Sequence, residues 1–481
     1  MALSSGVKFR CYPDPKQAET LSKWIGCQRF IYNAKVGEDR YFRTFRNHSL
    51  ALTGVPASVD QQYSRFKSKD LTPFLYEVPS QILRNGATLF MRAYQRYWND
   101  LAGRPAFHKK SGRQAVWITS ELFRFESTGR AKQKQNKVIY DHKLVLGAKS
   151  SPMGELRFKA HKEYELPAAI TISRSNGKWY VSFSYEDQST VMTEEELLDL
   201  YGGMTGRDLE AITLGLDRGV VVPLATSAGN PYDFTSIQKK RLVRKELRKK
   251  RYQRQMARRK KGSGHWKQAV GDVSRCSTYS ANVREDFAHK TSRKLVDSAA
   301  EVFVFEDLKV KNMTSAPKPK KAANGKYLPN CAAAKAGLNK AILESAWGKV
   351  KLFTTYKARC KNKLVIAIPP HGTSQECSKC SHTHPDNRIS QAVFECLDCG
   401  FTENADVNAS RVIKKRGIAK LMSGELSVKQ KKRTMRLKKK KQLGREPAEG
   451  NARGEVLRRV VGSAHSSHAS AIRETPTATA Y

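Results

Sequence analysis

Residues 371–413 read HGTSQECSKCSHTHPDNRISQAVFECLDCGFTENADVNASRVI, and the rest of the chain can be arranged around this stretch. Cys377 and Cys380 form one Cys-x2-Cys knuckle, Cys396 and Cys399 form a second, and fifteen residues separate them. At this spacing four thiolates converge tetrahedrally on zinc, and Gly400 gives the backbone room to turn after the second knuckle. A pair of disulfides or a chance spacing is the plainer alternative. A four-thiolate site leaves no coordination position open, so zinc here is structural and not catalytic. Just beyond it, Asn404 and Asp406 lead a helix in which Ala405, Ala409, Val412 and Ile413 share one face.

With 481 residues the chain is long enough for roughly three domains with buried cores, so small size does not explain a zinc brace. Its 88 Lys and Arg against 44 Asp and Glu give a formal charge of +44, which calls for a polyanionic partner. Nucleic acid is the first expectation and an anionic membrane surface the rival. No run approaches the length of a membrane span, and MALSSGVKFRCYP lacks the apolar core of a signal peptide. A soluble, intracellular protein is expected. Cys11, Cys27, Cys276, Cys331 and Cys360 fall into no pattern, which suits a reducing compartment better than a disulfide framework.

Working back to the start, Val7, Phe9 and Cys11 alternate as a strand, and Asp14, Pro15 and Gln17 supply a helix cap, a first-turn proline and a capping-box partner. Leu21, Trp24 and Ile25 mark that helix's apolar side. The pattern weakens into polar segments over about 40–75. Ile82, Leu83, Gly86, Leu89, Phe90, Ala93, Tyr94, Tyr97 and Trp98 then describe a long amphipathic helix. A basic loop region is expected over 104–135 and strands around 138–146 and 156–158. Ile170 and Ile172, the turn dipeptide Asn176-Gly177, and Trp179, Val181, Phe183 and Tyr185 predict a hairpin. The first half therefore reads as a small β-barrel over 1–40 and 131–190, interrupted by a helical insertion over 41–130. The acidic segment around 191–210 is expected to be a linker.

The second half opens with ITLGLDRGVVVPLATSAG, an apolar strand carrying Asp217. Residues 239–261 hold fourteen Lys or Arg in twenty-three positions, with Val243, Leu247 and Met256 as a thin apolar stripe. A helical arm lying along phosphates is the natural use, with Lys249, Arg251 and Arg254 among the contacts; it offers charge and no base readout. VFVFEDL is a buried strand ending in Glu306, and LVIAIPP is another that leads into the first knuckle. Beyond residue 425 the chain is basic and then aperiodic, as a disordered tail would be.

Asp217, Glu306 and Asp406 each lie at the end of an apolar element in a chain dominated by positive charge. Three carboxylates brought together repel, so their coexistence implies magnesium or manganese between them. Such ions can activate water on one side of a phosphodiester and stabilise the leaving oxygen on the other. Metal-dependent hydrolysis of a nucleic-acid backbone follows as the working hypothesis, although spacing alone does not establish that the three converge.

The order Gly215-x-Asp217-x-Gly219, VFEDL with Glu306, the TSQECSKC to FECLDCGF ribbon, and NADVNAS with Asp406 resembles the split RuvC-like nuclease domain of TnpB proteins, the RNA-guided nucleases of insertion sequences. Compact type V CRISPR effectors are similar. YPDPKQAETLSKWIGCQRFIYN, VPSQILRNGATLFMRAYQRYW and NGKWYVSFSYE resemble the same family's wedge barrel and inserted recognition helices, so the likeness covers roughly residues 5–422. It implies an α/β multidomain chain with an N-terminal wedge barrel carrying a helical recognition insertion. The C-terminal part would be an RNase H-like RuvC domain over 211–376 and 402–425, with the zinc ribbon inserted at 377–401. Asp217, Glu306 and Asp406 would hold two magnesium ions and cut DNA, a guide RNA would choose the target, and the protein would read only a short adjoining motif. The resemblance also implies that Arg388, in NRISQ, reaches the active site and that Gln81, Arg84 and Asn85 contact DNA. A bacterial or archaeal cytoplasmic protein, nucleoid-associated when on DNA, is expected, as a monomer or alternatively a dimer. Two departures stand out: Arg218 occupies a position usually apolar in the family, and 311–330 is unusually basic.

Two other functions compete. One is a guided DNA-binding repressor without cleavage, against which stands the complete acidic triad. The other is a transposase or transposition-associated DNA-binding protein, against which stands the lack of an evident Tyr-His-x-His motif.

Overall fold

The computed structural model describes residues 2–53, 60–134, 137–148, 151–161 and 164–425; the tail beyond 425 lies outside them. The chain forms two compact units, one built on Ser4–Gln188 and one running from Ser189 onward. Among the described residues no helix is long and apolar enough to cross a membrane.

In the first unit, strand β1 (Ala2–Tyr12) leads into α1 (Pro15–Thr53) and, further on, α2 (Ser80–Trp98). Six strands follow: β2 (Gln114–Thr119), β3 (Phe123–Lys134), β4 (Lys137–Ala148), β5 (Ser151–Ala160), β6 (Ala169–Ser175) and β7 (Lys178–Thr190). They make one seven-stranded sheet in the order β2-β6-β7-β1-β5-β4-β3. No ladder joins β2 to β3 among the described residues, so the expected barrel is a curled half-barrel. The expected basic loop over 104–135 in fact contains β2 and the start of β3, which brings the helical insertion to an end earlier than residue 130. The 170–185 hairpin forms as expected, with Asn176 at φ 50° and Gly177 at φ 72° turning Ser175 onto Lys178.

Helix α1 starts with the reciprocal cap: the Gln17 amide N–H donates to Asp14 Oδ1 at 2.8 Å, and that of Asp14 to Gln17 Oε1 at 3.1 Å. The helix then continues past residue 40 into the stretch expected to be irregular. The first residues of that extension make polar contacts, Arg43 Nε lying 3.5 Å from Asp39 Oδ2 and Thr44 Oγ1 donating to Arg40 O at 3.0 Å. Where α1 crosses α2 the backbones nearly touch, since a Cβ on Gly86 would lie 2.7 Å from the Gln28 carbonyl oxygen. Buried Gln28 links both helices to β2, giving Nε2 to Trp117 O at 2.8 Å and accepting the Trp117 N–H at the same distance.

The second unit begins with α3 (Glu194–Gly202) and α4 (Gly206–Ile212), where a linker was expected. Thr193 and Glu196 form a capping box on α3, and Leu197, Leu198, Tyr201 and Leu209 are buried, so this acidic segment is part of a core. A five-stranded sheet follows, built from β8 (Thr213–Asp217), β9 (Leu224–Thr226), β10 (Pro231–Tyr232), β11 (Val302–Glu306) and β14 (Leu364–Ile368), in the order β10-β9-β8-β11-β14. Strands β8, β11 and β14 run parallel, and β9 is antiparallel to β8. Between β10 and β11 lie α5 (Ser236–Arg258) and α6 (Gly264–Val296). Between β11 and β14 lie α7 (Val310–Met313), the short strands β12 (Lys320–Lys321) and β13 (Tyr327–Leu328), α8 (Ala332–Glu344) and α9 (Trp347–Arg359).

The sheet is covered on both faces, which is why VFVFE of β11 is buried at every position. Val302 and Val304 point to the core shared with α3, α4 and α10 (Ala405–Met422), while Phe303 and Phe305 point to the core shared with α6 and α9. The ribbon precedes α10, with β15 (Val393–Glu395) paired antiparallel to β16 (Thr402–Asn404) over a small core of Cys377, Phe394, Cys396 and Ala405. Two glycines let α10 lie hard against the sheet. A Cβ on Gly215 would fall 2.0 Å from Ser410 O, and one on Gly417 would fall 2.5 Å from a Val304 methyl.

Candidate active site and metal centre

Asp217 ends β8 and Glu306 ends the neighbouring parallel strand β11, each one residue past the paired positions Leu216 and Phe305. Both acids thus emerge at the carboxyl ends of the strands, where an open α/β sheet offers a crevice. Asp406 arrives from α10, whose first turn is capped by Asn404 Oδ1 accepting from the N–H groups of Asp406 at 3.0 Å and Val407 at 3.2 Å. The turn after β8 reaches it, because a Cβ on Gly219 would lie 3.6 Å from Asp406 Oδ2. Three acids from distant segments therefore face one another. Burial, then the charges of Glu306 and Asp406, push the Asp217 carboxyl up to about 7.

Each acid is held by a specific partner. Thr373 Oγ1 donates to Glu306 Oε1 at 2.6 Å within the protein. Arg388 Nη2 donates to Asp406 Oδ1 at 3.2 Å and to Gln391 O at 2.9 Å, so it contacts one of the three acids. Arg218, only 5% exposed, turns behind the strand ends; its Nη2 donates to Glu306 O, and its guanidinium lies 5.6 Å from the centre of the Phe305 ring. Burial lowers its pKa against the pull of Glu306 and Asp217.

The four cysteines form a tighter group. Cys377 Sγ lies 3.7 Å from Cys399 Sγ, and Cys380 Sγ lies 3.5 Å from Cys396 Sγ. Four sulfurs about 2.3 Å from a tetrahedral zinc would stand about 3.8 Å apart, so the set fits that ion. Among the described residues these are the only three or more His, Cys, Asp or Glu side chains whose ligand atoms all lie within 4.8 Å of one another. The knuckles match: Ser381 N–H donates to Cys377 O and Gly400 N–H to Cys396 O, both at 2.9 Å, and Ser381 and Gly400 both sit at φ 65°. None of the nine cysteines is in a disulfide.

Sequence reasoning missed the residues that join ribbon to site. Buried Asn387 donates Nδ2 to Gln375 O at 2.9 Å and accepts the Leu397 N–H at 3.0 Å, tying one knuckle to the other. Buried Asn408, two residues after Asp406, accepts the Ser378 N–H at 2.9 Å and donates to Glu376 O at 2.8 Å. An asparagine in a helix interior is poorly suited to the helix for its own sake, and that was the available signal. Thr373 carried none.

The expected nucleic-acid contacts divide. Asn85 is corrected: it is 2% exposed and its Nδ2 donates to Trp117 O at 3.3 Å and Thr119 Oγ1 at 3.4 Å, so it ties α2 to β2. Arg84 is part-exposed and paired with Glu121, and half-buried Gln81 accepts from Ser80 Oγ at 3.4 Å. Arg251 and Arg254 are exposed on α5, which has no buried residue, and Lys249 leans on Glu246 at 3.5 Å. The apolar stripe expected on α5 is not sequestered, since Val243 and Leu247 are each 60% exposed.

Three family models match the chain. One described as "Probable transposase", of the IS605 OrfB type, covers residues 193–316; a "Cas12f1-like, TNB domain" covers 347–413; a "Helix-turn-helix domain" of the OrfB type covers 1–36, where the fold has one strand and one helix. The chain is 29% identical over 422 residues to a protein of Escherichia coli K12 named "Putative RNA-guided DNA endonuclease InsQ", covering 87% of this chain and 94% of that one. It is 27% identical over 420 residues to a "Putative RNA-guided DNA endonuclease" of Streptomyces pristinaespiralis, covering 87% and 90%. A solved Cas12f1 complex with guide RNA and target DNA aligns over 86% of this chain and 99% of its own, at TM-score 0.45 and 12% identity.

Proposed function

Because the chain belongs to the TnpB family of IS605-type elements, we propose that it is an RNA-guided, magnesium-dependent DNA endonuclease with Asp217, Glu306 and Asp406 as its reacting centre. The observation that carries this reading is the meeting of three acids at the strand ends in a chain of net charge +44. Their oxygens are hard donors, which suit magnesium or manganese and exclude the soft thiolate chemistry of the ribbon. When bound there, such ions supply the charge that activates water and steadies the leaving oxygen of a phosphodiester.

The chain's own residues set the geometry for that chemistry. Thr373 fixes which way the Glu306 carboxylate points, and Asn404 sets Asp406 in the first turn of α10. Arg388 reaches the same crevice through Asp406, and its guanidinium suits the charge of a phosphate. The four-cysteine ribbon, which would hold zinc, acts on the reaction through Asn408 and α10 and through Arg388, which lies between its two knuckles. In this reading the first unit is the wedge half-barrel with its helical recognition part, and the second is an RNase H-like RuvC domain with the ribbon inserted. The exposed lysines and arginines of α5 follow nucleic-acid phosphates, and Gln81 and Arg84 contact DNA.

The test is to purify the protein with its bound RNA, sequence that RNA, and offer a plasmid carrying the matching target. Cutting in magnesium that stops in EDTA is the expected result. Tight binding of the matched plasmid without cutting in any divalent cation would instead make the protein a guided repressor.

A further inference from the structure

We propose that the lysine-rich hairpin between β11 and α8 is a clamp for single-stranded DNA, built on Tyr327 as a stacking platform. The inference rests on the endonuclease reading for its DNA and extends it to the path of the strand being cut. From residue 308 to residue 343 the chain has eight lysines and no aspartate or glutamate. This run begins two residues after Glu306.

The segment is ordered by its own contacts. Strand β12 pairs with β13, Lys321 opposite Tyr327, around a turn closed by Gly325 N–H donating to Ala322 O at 2.9 Å with Gly325 at φ 76°. Asn330 Nδ2 donates to Lys318 O at 3.1 Å across the base of the hairpin. The root is pinned to α8, where Lys335 Nζ donates to Met313 O at 2.7 Å and Asn339 Nδ2 to Thr314 O at 3.0 Å. A hairpin tied at this many points is presented in one shape, which a merely solvated loop does not require.

Its chemistry is that of a strand-gripping surface. Tyr327 is 70% exposed, and Lys321 Nζ stands 5.1 Å from the centre of its ring. Lys309 and Lys340 have carboxylate partners, at 2.5 and 3.0 Å. Lys311, Lys318, Lys320, Lys321 and Lys326 have none among the described residues, unlike many lysines elsewhere on the surface. An exposed ring beside unneutralised cations fits an unpaired base stacked on the ring with its phosphates on the lysines. Duplex DNA offers the phosphates but hides the base face. A cavity of about 610 Å³ lies beyond the end of β11, lined by Asp307, Lys309 and Met313 on one side and by Pro369, Pro370 and Lys420 on the other.

The experiment measures binding of a labelled 20-nucleotide single strand, the matching duplex and the matching RNA strand by fluorescence anisotropy. It uses the full-length protein with its bound RNA, in EDTA. Tyr327→Ala is expected to weaken single-strand binding at least about fivefold and duplex binding far less, while Tyr327→Phe stays within about twofold of the wild type. Replacing Lys318, Lys320, Lys321 and Lys326 by Ala should lower the salt dependence of single-strand binding by about three in slope. Unchanged single-strand affinity in Tyr327→Ala, an equal loss for duplex, or tighter binding of the RNA strand would overturn the assignment. Guided cutting of a plasmid is measured separately on the wild type. A wild type that cuts while Tyr327→Ala binds normally sinks the clamp alone; a wild type that never cuts while Tyr327→Ala loses the single strand sinks the nuclease reading alone.

Discussion

The four thiolates and the three carboxylates are both clusters of negative side chains, and they are built in opposite ways. The thiolates all lie within 4.8 Å of one another on two short turns of like geometry, with a core of Phe394 and Ala405 behind them. They form a closed set that one soft cation completes. The carboxylates come from two strand ends and a helix head and do not close to that distance. Each is held separately, by Thr373, by Arg388 or by burial, and the group stays open toward the strand ends. The proposed brace closes its ligands on one another; the proposed reacting centre holds them apart.

That contrast is easiest to break at Asp217. In the RNA-bound protein, Asp217→Ala should reduce target cutting by at least about a thousandfold while leaving guided target binding within about threefold. Parallel loss of cutting and binding in plasmid and filter assays would place Asp217 in the scaffold instead. Next in size is the brace. Cys396→Ser should lower zinc content by elemental analysis and cost soluble yield and melting temperature, because binding energy at such a site is folding energy. A variant that melts normally without zinc would show that the ribbon does not brace the fold.

Thr373→Val tests the held-apart geometry more gently. Removing a hydroxyl bonded to a charged carboxylate should slow cutting by about tenfold with little change in melting temperature, and no change in rate would show Glu306 to be positioned without it. The smallest effect concerns Asp217 itself. Its carboxyl is raised to about 7 in the fold from 3.8, so ionising it costs stability above that range and nothing below pH 3.8. In EDTA, Asp217→Asn should therefore melt above the wild type at pH 8.5 by a few degrees, on the order expected for a few kcal/mol, and the gap should close as the pH falls toward 4. A gap that widened on acidification would reverse the sign.

Much of this centre could be read from the residues because its parts are local. Two Cys-x2-Cys knuckles, an acid ending an apolar strand and an Asn-x-Asp at a helix head each announce themselves within a few residues. What stayed hidden depends on contacts made from far away. Asn85 looked like a DNA contact by its place in a motif, yet β2 claims its amide. The segment around 191–210 read as a linker because its charge outweighed Leu197, Leu198 and Leu209, although the Thr193 to Glu196 capping box was present in the sequence. The half-barrel read as a barrel because closure depends on whether two edge strands meet, which alternation along a strand does not specify. On α5, Val243 and Leu247 formed the apolar stripe but do not bury it.

The fit of α10 against Gly215 has a consequence for synthesis. The backbone of Ser410 occupies the space a side chain at 215 would take, so Asp406 reaches Asp217 and Glu306 only once a helix made near the end of translation has docked on a strand made much earlier. A ribosome still short of residue 405 carries two of the three acids and an uncovered sheet face. The nascent chain therefore cannot bring its three acids together, and a prematurely ended one never does.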